Sequence, residues 1–131
     1  MDFLIETERL EIRPFYLEDL RDFQEIAKDI DVMKFSKNGP LDEEESKKLF
    51  KKIFKNKKKY GFGAAAILDK KTKTFLGFCL LSILKKDGIE EFNVGYRFFK
   101  KYWGKGYASE ALKVCIEHLK KVFKDRDIYL Y

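Results

Sequence analysis

The chain has 131 residues, of which 45% are hydrophobic and 38% are charged. This composition is typical of one globular domain spanning 1–131, and it excludes a disordered or collagen-like chain. Cys79 and Cys115 are far apart in sequence, with no Cys-x-x-Cys pair and a single histidine in the chain. A disulfide scaffold and a zinc site are therefore not indicated, and we expect two core cysteines and no metal.

The net charge and its distribution limit the classes of molecule that we expect the protein to bind. A formal net charge of +6 permits an anionic ligand. The lysines occur in short runs that are typical of solvated turns, so we expect no nucleic-acid partner. No apolar run reaches the roughly 18 residues of a membrane span, and the acidic start is unlike a signal peptide. We therefore expect a cytoplasmic protein without a membrane partner.

The apolar periodicity predicts the secondary structure in chain order. The elements are a strand over 9–15, a helix over 17–28, an irregular stretch over 31–39, a helix from 42 to 61, strands over 62–68, 74–84 and 90–98, a helix over 108–123 and a strand over 128–131. The second helix begins at a capping box of Asp42 and Glu45. Early antiparallel strands and a late strand-helix-strand unit predict an α/β (α+β) fold, a mixed, largely antiparallel sheet with helices on both faces.

The segment between the strand 90–98 and the helix 108–123 carries the chemistry. Gly104 and Gly106 flank Lys105 directly before a helix N-terminus, where backbone N–H groups lack intrahelical partners. Such a segment suits an anion, although a glycine-containing turn also occurs for packing reasons. A P-loop is excluded because Gly-Lys-Ser/Thr is absent at the required spacing, and a dinucleotide-binding fingerprint fits poorly.

Several motifs of this sequence resemble the GNAT superfamily of N-acetyltransferases, in particular its RimJ/RimL-like branch. Trp103-Gly104-Lys105-Gly106-Tyr107-Ala108 is similar to motif A of that superfamily, Gln/Arg-x-x-Gly-x-Gly/Ala. The resemblance extends in order along the chain through Thr7-Glu8-Arg9-Leu10-Glu11-Ile12-Arg13-Pro14, Phe75-Leu76-Gly77-Phe78 and Val94-Gly95-Tyr96.

The resemblance implies an acetyltransferase that uses acetyl-CoA as its co-substrate and an amine as its acceptor. The amine would be a protein N-terminus or a small molecule, and it would attack the acetyl group directly. The main chain before the last long helix would hold the pyrophosphate, and the preceding strand would pair with the pantetheine arm. The implied cofactor-binding residues are Tyr96, Arg97, Phe98, Trp103, Gly104, Lys105, Gly106, Tyr107, Ala108 and Ser109.

The catalytic group is the least determined part of the resemblance. Members of the branch often carry a glutamate one residue before the Val-Gly-Tyr segment, where this sequence has Asn93. An asparagine cannot act as a base, but it can donate to an oxyanion or hold a water molecule. Glu91 lies two residues earlier on the same predicted strand face and is the local candidate for the base, with Glu11 as a more distant one. For either glutamate, an exposed structural carboxylate is the simpler interpretation.

The family resemblance continues beyond the elements of this sequence. It implies a further helix and two further strands at the C-terminus, so we expect the domain to be incomplete there, with an open sheet edge. A homodimer or a swapped partner would cover that edge. Three interpretations stay open: an N-acetyltransferase, a catalytically inactive CoA-binding or interaction module of the same fold, and a basic nucleic-acid-binding domain, which the scattered lysines disfavour.

Overall fold

One mixed sheet organises the protein. The computed structural model describes residues 4–34, 36, 38–60, 64–122 and 128–130, and the side chains of 56–60, 81–86, 89–92, 122 and 128–130 lie outside that description. The strands are β1 (Ile5–Glu6), β2 (Leu10–Pro14), β3 (Ala64–Asp69), β4 (Phe75–Lys86), β5 (Ile89–Phe98) and β6 (Ile128–Leu130). They lie side by side in chain order. All neighbours are antiparallel except β6, which is parallel to β5, so the predicted mixed sheet is confirmed.

Four α-helices lie in the described part of the chain. They are α1 (Leu20–Ala27), α2 (Ile30–Met33), α3 (Glu43–Tyr60) and α4 (Tyr107–Val122), with 3-10 turns at Leu17–Asp19 and Lys100–Tyr102. Within the described residues, no helix combines the length and apolar character that crossing a bilayer requires.

The helices pack on both faces of the sheet, as predicted. On one face, α4 buries Ala111, Cys115 and Leu119 against the strands. On the other face, α1 and α3 bury an aromatic cluster that includes Phe23 and Phe78, whose ring centroids are 4.9 Å apart. Burying a phenylalanine side chain stabilises a fold by about 1.5–3 kcal/mol, so these two apolar layers fix the helices on the sheet.

The boundaries of several elements differ from the sequence prediction. The short strand β1 was not predicted, because two residues show no alternation. The stretch 31–39 contains the single turn α2, where the Asp29 carboxylate accepts hydrogen bonds from the N–H groups of Asp31 and Val32 at 2.9 and 3.3 Å. Strand β4 reaches Lys86 because the hairpin turn pairs Lys86 with Ile89. The predicted strand start at Phe62 and helix stop at Gly61 lie outside the described residues.

The two cysteines meet in the core between β4 and α4. Their sulfur atoms, Cys79 Sγ and Cys115 Sγ, are 3.4 Å apart, and both residues are free thiols at most 1% exposed. The hydrogen bond with Cys115 and the burial both raise the pKa of Cys79. The prediction that both are core residues is confirmed, and the fold brings together two residues that are 36 positions apart.

The predicted capping box at the start of α3 is confirmed. Asp42 Oδ1 accepts from the Glu45 N–H at 2.7 Å, and Glu45 Oε1 accepts from the Asp42 N–H at 3.1 Å. These bonds satisfy two donors that the first helical turn would otherwise leave unpaired.

We expect Asp42→Ala to lower the free energy of unfolding by about 1 kcal/mol, because it removes the capping acceptor. Urea unfolding followed by circular dichroism measures this change. Glu44→Ala in the same turn is the matched control, since Glu44 is exposed and its ion pair with Lys48 spans 3.9 Å. Equal losses in the two variants would contradict the capping role of Asp42.

Candidate functional site

The loop before α4 presents a row of backbone donors. Gly104 and Gly106 have φ angles of +76° and +80°, a region that residues with a side chain rarely adopt. These angles turn the chain sharply from the 3-10 turn into α4. Among the described residues, no hydrogen-bond acceptor is found for the N–H groups from Gly104 to Ser109, whereas the Glu110 N–H starts the regular helical pattern by donating to Gly106 O at 3.1 Å.

This row of donors coincides with the positive end of a helix. Helix α4 has 16 residues, and its aligned peptide dipoles leave a partial positive charge at Tyr107. Lys100, Lys101 and Lys105 are exposed around the loop and add positive potential. N–H groups without an acceptor among the described residues, a helix dipole and nearby cations are together the features that suit a phosphate or another anion.

The donors open into a cavity of about 900 Å³. It is lined by Asp31, Val32, Lys34, Tyr96, Arg97, Phe98, Lys100, Tyr102, Trp103, Gly104, Gly106, Tyr107, Ala108 and Ser109. Nine of the ten residues that the sequence predicted as cofactor-binding are therefore brought together along one cavity. The exception is Lys105, whose carbonyl oxygen accepts a hydrogen bond from Arg9 Nη1 at 2.9 Å.

The cavity follows the edge of β5 that faces β6. The two strands pair at Phe92–Ile128, Asn93–Tyr129 and Val94–Leu130. Beyond Val94, β5 has no strand partner on this side among the described residues. A Cβ added to Gly77 of β4 would lie 2.3 Å from Arg97 O, so the Arg97 carbonyl points towards β4. Because peptide groups alternate along a strand, the N–H groups of Tyr96 and Phe98 point the other way, towards the open edge.

Two of the carbonyl groups on that edge are already engaged. Trp103 Nε1 donates to Phe98 O at 3.1 Å, and Arg97 Nη1 donates to Tyr96 O at 2.7 Å. The Arg97 guanidinium also donates to Ser36 Oγ at 2.9 Å. The edge therefore offers mainly N–H donors, which suit the carbonyl oxygens of an extended amide-bearing chain.

Three residues that line the cavity were missed by the sequence prediction. They are Asp31, Val32 and Lys34, in and after the single turn α2. Asp31 Oδ2 accepts from Lys100 Nζ at 2.7 Å. This hydrogen bond and the charge of Lys100 lower the pKa of Asp31, and the same contact raises the pKa of Lys100. Both side chains are more than half exposed, so salt screens this pair strongly.

The predicted catalytic residues have different outcomes. Asn93 is 4% exposed and is not among the residues that line the cavity. Its Oδ1 atom finds no hydrogen-bond donor in the described part of the structure. The Glu91 side chain lies outside the described residues. Glu11 Oε1 accepts from Lys73 Nζ at 2.8 Å, and Glu11 is not among the residues that line the cavity. The structure therefore does not bring Glu11 to the site. Within the described residues, no cluster of histidine, cysteine, aspartate or glutamate has the geometry of a metal site.

Comparisons with known proteins identify the family of the chain. Residues 9–129 match the family model of the acetyltransferase (GNAT) domain. Two curated proteins of Bacillus subtilis (strain 168) are similar to the chain. One, named "Uncharacterized N-acetyltransferase YnaD", is 32% identical over 117 residues, which are 87% of this chain and 64% of that protein. The other, named "Uncharacterized protein YkkB", is 31% identical over 90 residues, which are 69% of this chain and 52% of that protein.

The fold is also found among solved structures. The crystal structure of a GNAT-family acetyltransferase from Bacillus anthracis superposes with a TM-score of 0.73 at 30% identity, covering 93% of this chain and 69% of that one. The chain spans between about half and two thirds of the length of the two curated relatives.

Proposed function

We propose that this chain, which belongs to the GNAT acetyltransferase family, binds acetyl-CoA and transfers the acetyl group of that cofactor to an amine. The observation that carries the proposal is the row of N–H groups from Gly104 to Ser109, which have no acceptor in the described part of the chain and lie along the 900 Å³ cavity. A dianionic pyrophosphate is the ligand that such a row at a helix N-terminus suits best.

The residues present fit two parts of the cofactor, its pyrophosphate and its pantetheine arm. With no side chain at 104 and 106, a phosphate can approach the main chain, and the N–H groups of the first turn of α4 bind its oxygens. The N–H groups of Tyr96 and Phe98 on the open edge of β5 bind the carbonyl oxygens of the pantetheine arm. Arg97 is proposed to take part through its side chain, which holds Tyr96 O and Ser36 in place.

Acetyl-CoA supplies an activated thioester, and the chain must then orient an amine and remove a proton from it. Asn93 is the residue we propose for orienting the amine, because its buried Oδ1 can accept an N–H hydrogen bond that the described residues do not supply. Glu91 stays our proposed base. The alternation of β5 predicts that it shares a face with Asn93.

The proposal is tested by titration calorimetry with CoA and acetyl-CoA. We expect saturable binding with a dissociation constant below about 1 mM, the upper end of ordinary substrate affinities. Thiol release in the presence of acetyl-CoA is then measured over peptides with a free N-terminal amine, polyamines and other small amines. Absence of CoA binding would overturn the proposal, and binding without thiol release over the whole panel would favour an inactive CoA-binding module.

We expect Asn93→Leu to change the free energy of unfolding by no more than about 1 kcal/mol. The substitution removes a buried acceptor that has no hydrogen bond from the described residues to offset its desolvation. The same substitution should lower kcat/KM for acetyl transfer at least tenfold, because the amine loses its orienting acceptor. Urea unfolding and steady-state kinetics measure the two effects. An unchanged kcat/KM would contradict the proposed role of Asn93 in orienting the amine.

A further inference from the structure

One guanidinium group lies behind the anion loop, which we define as Trp103 to Gly106. Arg9 comes from the segment between β1 and β2. Its Nη1 atom donates to Lys105 O at 2.9 Å, and its Nε atom donates to Glu110 Oε1 at 2.8 Å. The same group lies over the Tyr107 ring, 4.5 Å from the centroid. A Cβ added to Gly106 would lie 3.4 Å from Arg9 Nη2, so the guanidinium packs directly against the loop.

Arg9 is itself held by the carboxylate of Glu110 in the first turn of α4. Glu110 Oε2 accepts from the Arg9 N–H at 3.1 Å and from Thr7 Oγ1, which in turn accepts from the Leu10 N–H at 2.9 Å. Burial acts to raise the pKa of Glu110, but the hydrogen bonds from Thr7 and Arg9 outweigh it and the pKa is lowered. The carboxylate therefore stays ionised and engaged with Arg9 and Thr7.

The contact with Lys105 O has a direct consequence for the donors. A trans peptide unit is planar, and its C=O and N–H bonds point in opposite directions. When Arg9 holds the Lys105 carbonyl on the inner side of the loop, the Gly106 N–H points to the outer side. Gly106 can rotate easily about its backbone bonds, so without this contact the orientation of that N–H is not fixed.

We propose that Arg9 is a positioning residue for the cofactor's pyrophosphate, which holds the Lys105–Gly106 peptide with its N–H group outward, and that Glu110 and Thr7 hold Arg9 in that orientation. This inference rests on the proposed function, because it assigns the loop a phosphate ligand. It differs from a simple attraction between positive and negative charges. In that case, the charge of Arg9 alone would matter and Glu110 would oppose binding.

The test compares CoA affinity in wild type with Arg9→Gln, Arg9→Lys and Arg21→Gln by titration calorimetry. Arg21→Gln removes the same charge from an exposed position of α1 and is the matched control. We expect Arg9→Gln and Arg9→Lys each to weaken binding at least tenfold, because lysine keeps the charge but lacks the planar fork that contacts two acceptors. Arg21→Gln should stay within twofold of wild type. Wild-type affinity in Arg9→Lys would overturn the inference.

Glu110→Gln gives the sharper test, because the two explanations predict opposite signs. Removing a negative charge near a helix N-terminus strengthens anion binding if charge alone acts. We expect binding to weaken at least fivefold instead, and Thr7→Val to weaken it in the same direction. The double variant Arg9→Gln/Glu110→Gln should bind no more weakly than Arg9→Gln alone, since both changes release the same peptide. Tighter binding in Glu110→Gln would overturn the inference.

Two further measurements separate the inference from the proposed function and from misfolding. Acetyl-pantetheine has the thioester and the arm but no pyrophosphate, so Arg9→Gln should leave kcat/KM for this substrate within twofold of wild type. An equal loss with acetyl-CoA and acetyl-pantetheine would show a general structural defect and overturn the inference. Failure of wild type to bind CoA would instead overturn the proposed function.

Discussion

Gly106→Val should weaken CoA binding at least 100-fold while leaving a folded protein. Gly106 has a φ angle of +80°, which is strongly unfavourable for a β-branched residue. The loop would relieve this strain by rotating its peptides, and the N–H groups would then no longer point together at one anion. The new Cβ would also meet Arg9 Nη2 at 3.4 Å. Titration calorimetry measures the loss, and a 100-fold change corresponds to about 2.7 kcal/mol.

Gly88→Val is the control for this prediction. Gly88 lies in the turn between β4 and β5, has a φ angle of +79° and has open space where a Cβ would be. A valine at position 88 would have a backbone strain comparable to that of a valine at position 106, but position 88 is not among the residues that line the cavity. CoA affinity should therefore change less than twofold. An equal loss in both variants would mean that the effect comes from lowered stability and not from the loop.

Asp19→Ala should lower the free energy of unfolding by about 4 kcal/mol. Asp19 is 5% exposed, and its carboxylate accepts from Arg13 Nη1 at 2.7 Å and Nη2 at 3.1 Å. It also accepts from the Tyr16 N–H at 2.7 Å. Removing the carboxylate leaves the guanidinium of Arg13, whose side chain is 15% exposed, without this partner. Breaking a buried pair in this way costs about 3–5 kcal/mol, which urea unfolding can measure.

A double variant distinguishes the ion pair from packing. Arg13→Met/Asp19→Ala removes both charges, so no uncompensated charge stays buried. We expect it to be more stable than Asp19→Ala alone, although Arg13 also packs its guanidinium 4.1 Å from the centroid of the Tyr16 ring. If the double variant lost the sum of both single effects, the pair would carry no coupling energy.

The anion loop could be predicted from the sequence because its geometry is encoded locally. Two glycines around Lys105, followed by an apolar helix stripe, place a turn and a helix N-terminus next to each other whatever the rest of the chain does. The same holds for the α3 capping box, in which Asp42 and Glu45 are three positions apart. The apolar face of the sheet that packs on α4 also followed from periodicity, since α4 and β5 each show one clear apolar side.

The rest of the site depends on contacts between distant residues. Asp31 reaches the cavity because its single-turn helix is held over Lys100, and four helical residues are too few to show a period. Arg9 and Glu110 are 101 positions apart, so no local pattern connects them. The sequence could show that Thr7 to Pro14 resembles the family, but not which atoms of the anion loop that segment contacts.

The adjacent thiols of Cys79 and Cys115 have a practical consequence. They are the two cysteines of the sequence, and both are buried where β4 meets α4. A thiol reagent can therefore reach them only when this layer opens, and the labelling rate under native conditions reports the free energy of that opening. The chain thus carries an intrinsic probe of the layer that supports the anion loop. No cysteine has to be introduced, and labelling rates with and without CoA would show whether CoA slows the local unfolding of this layer.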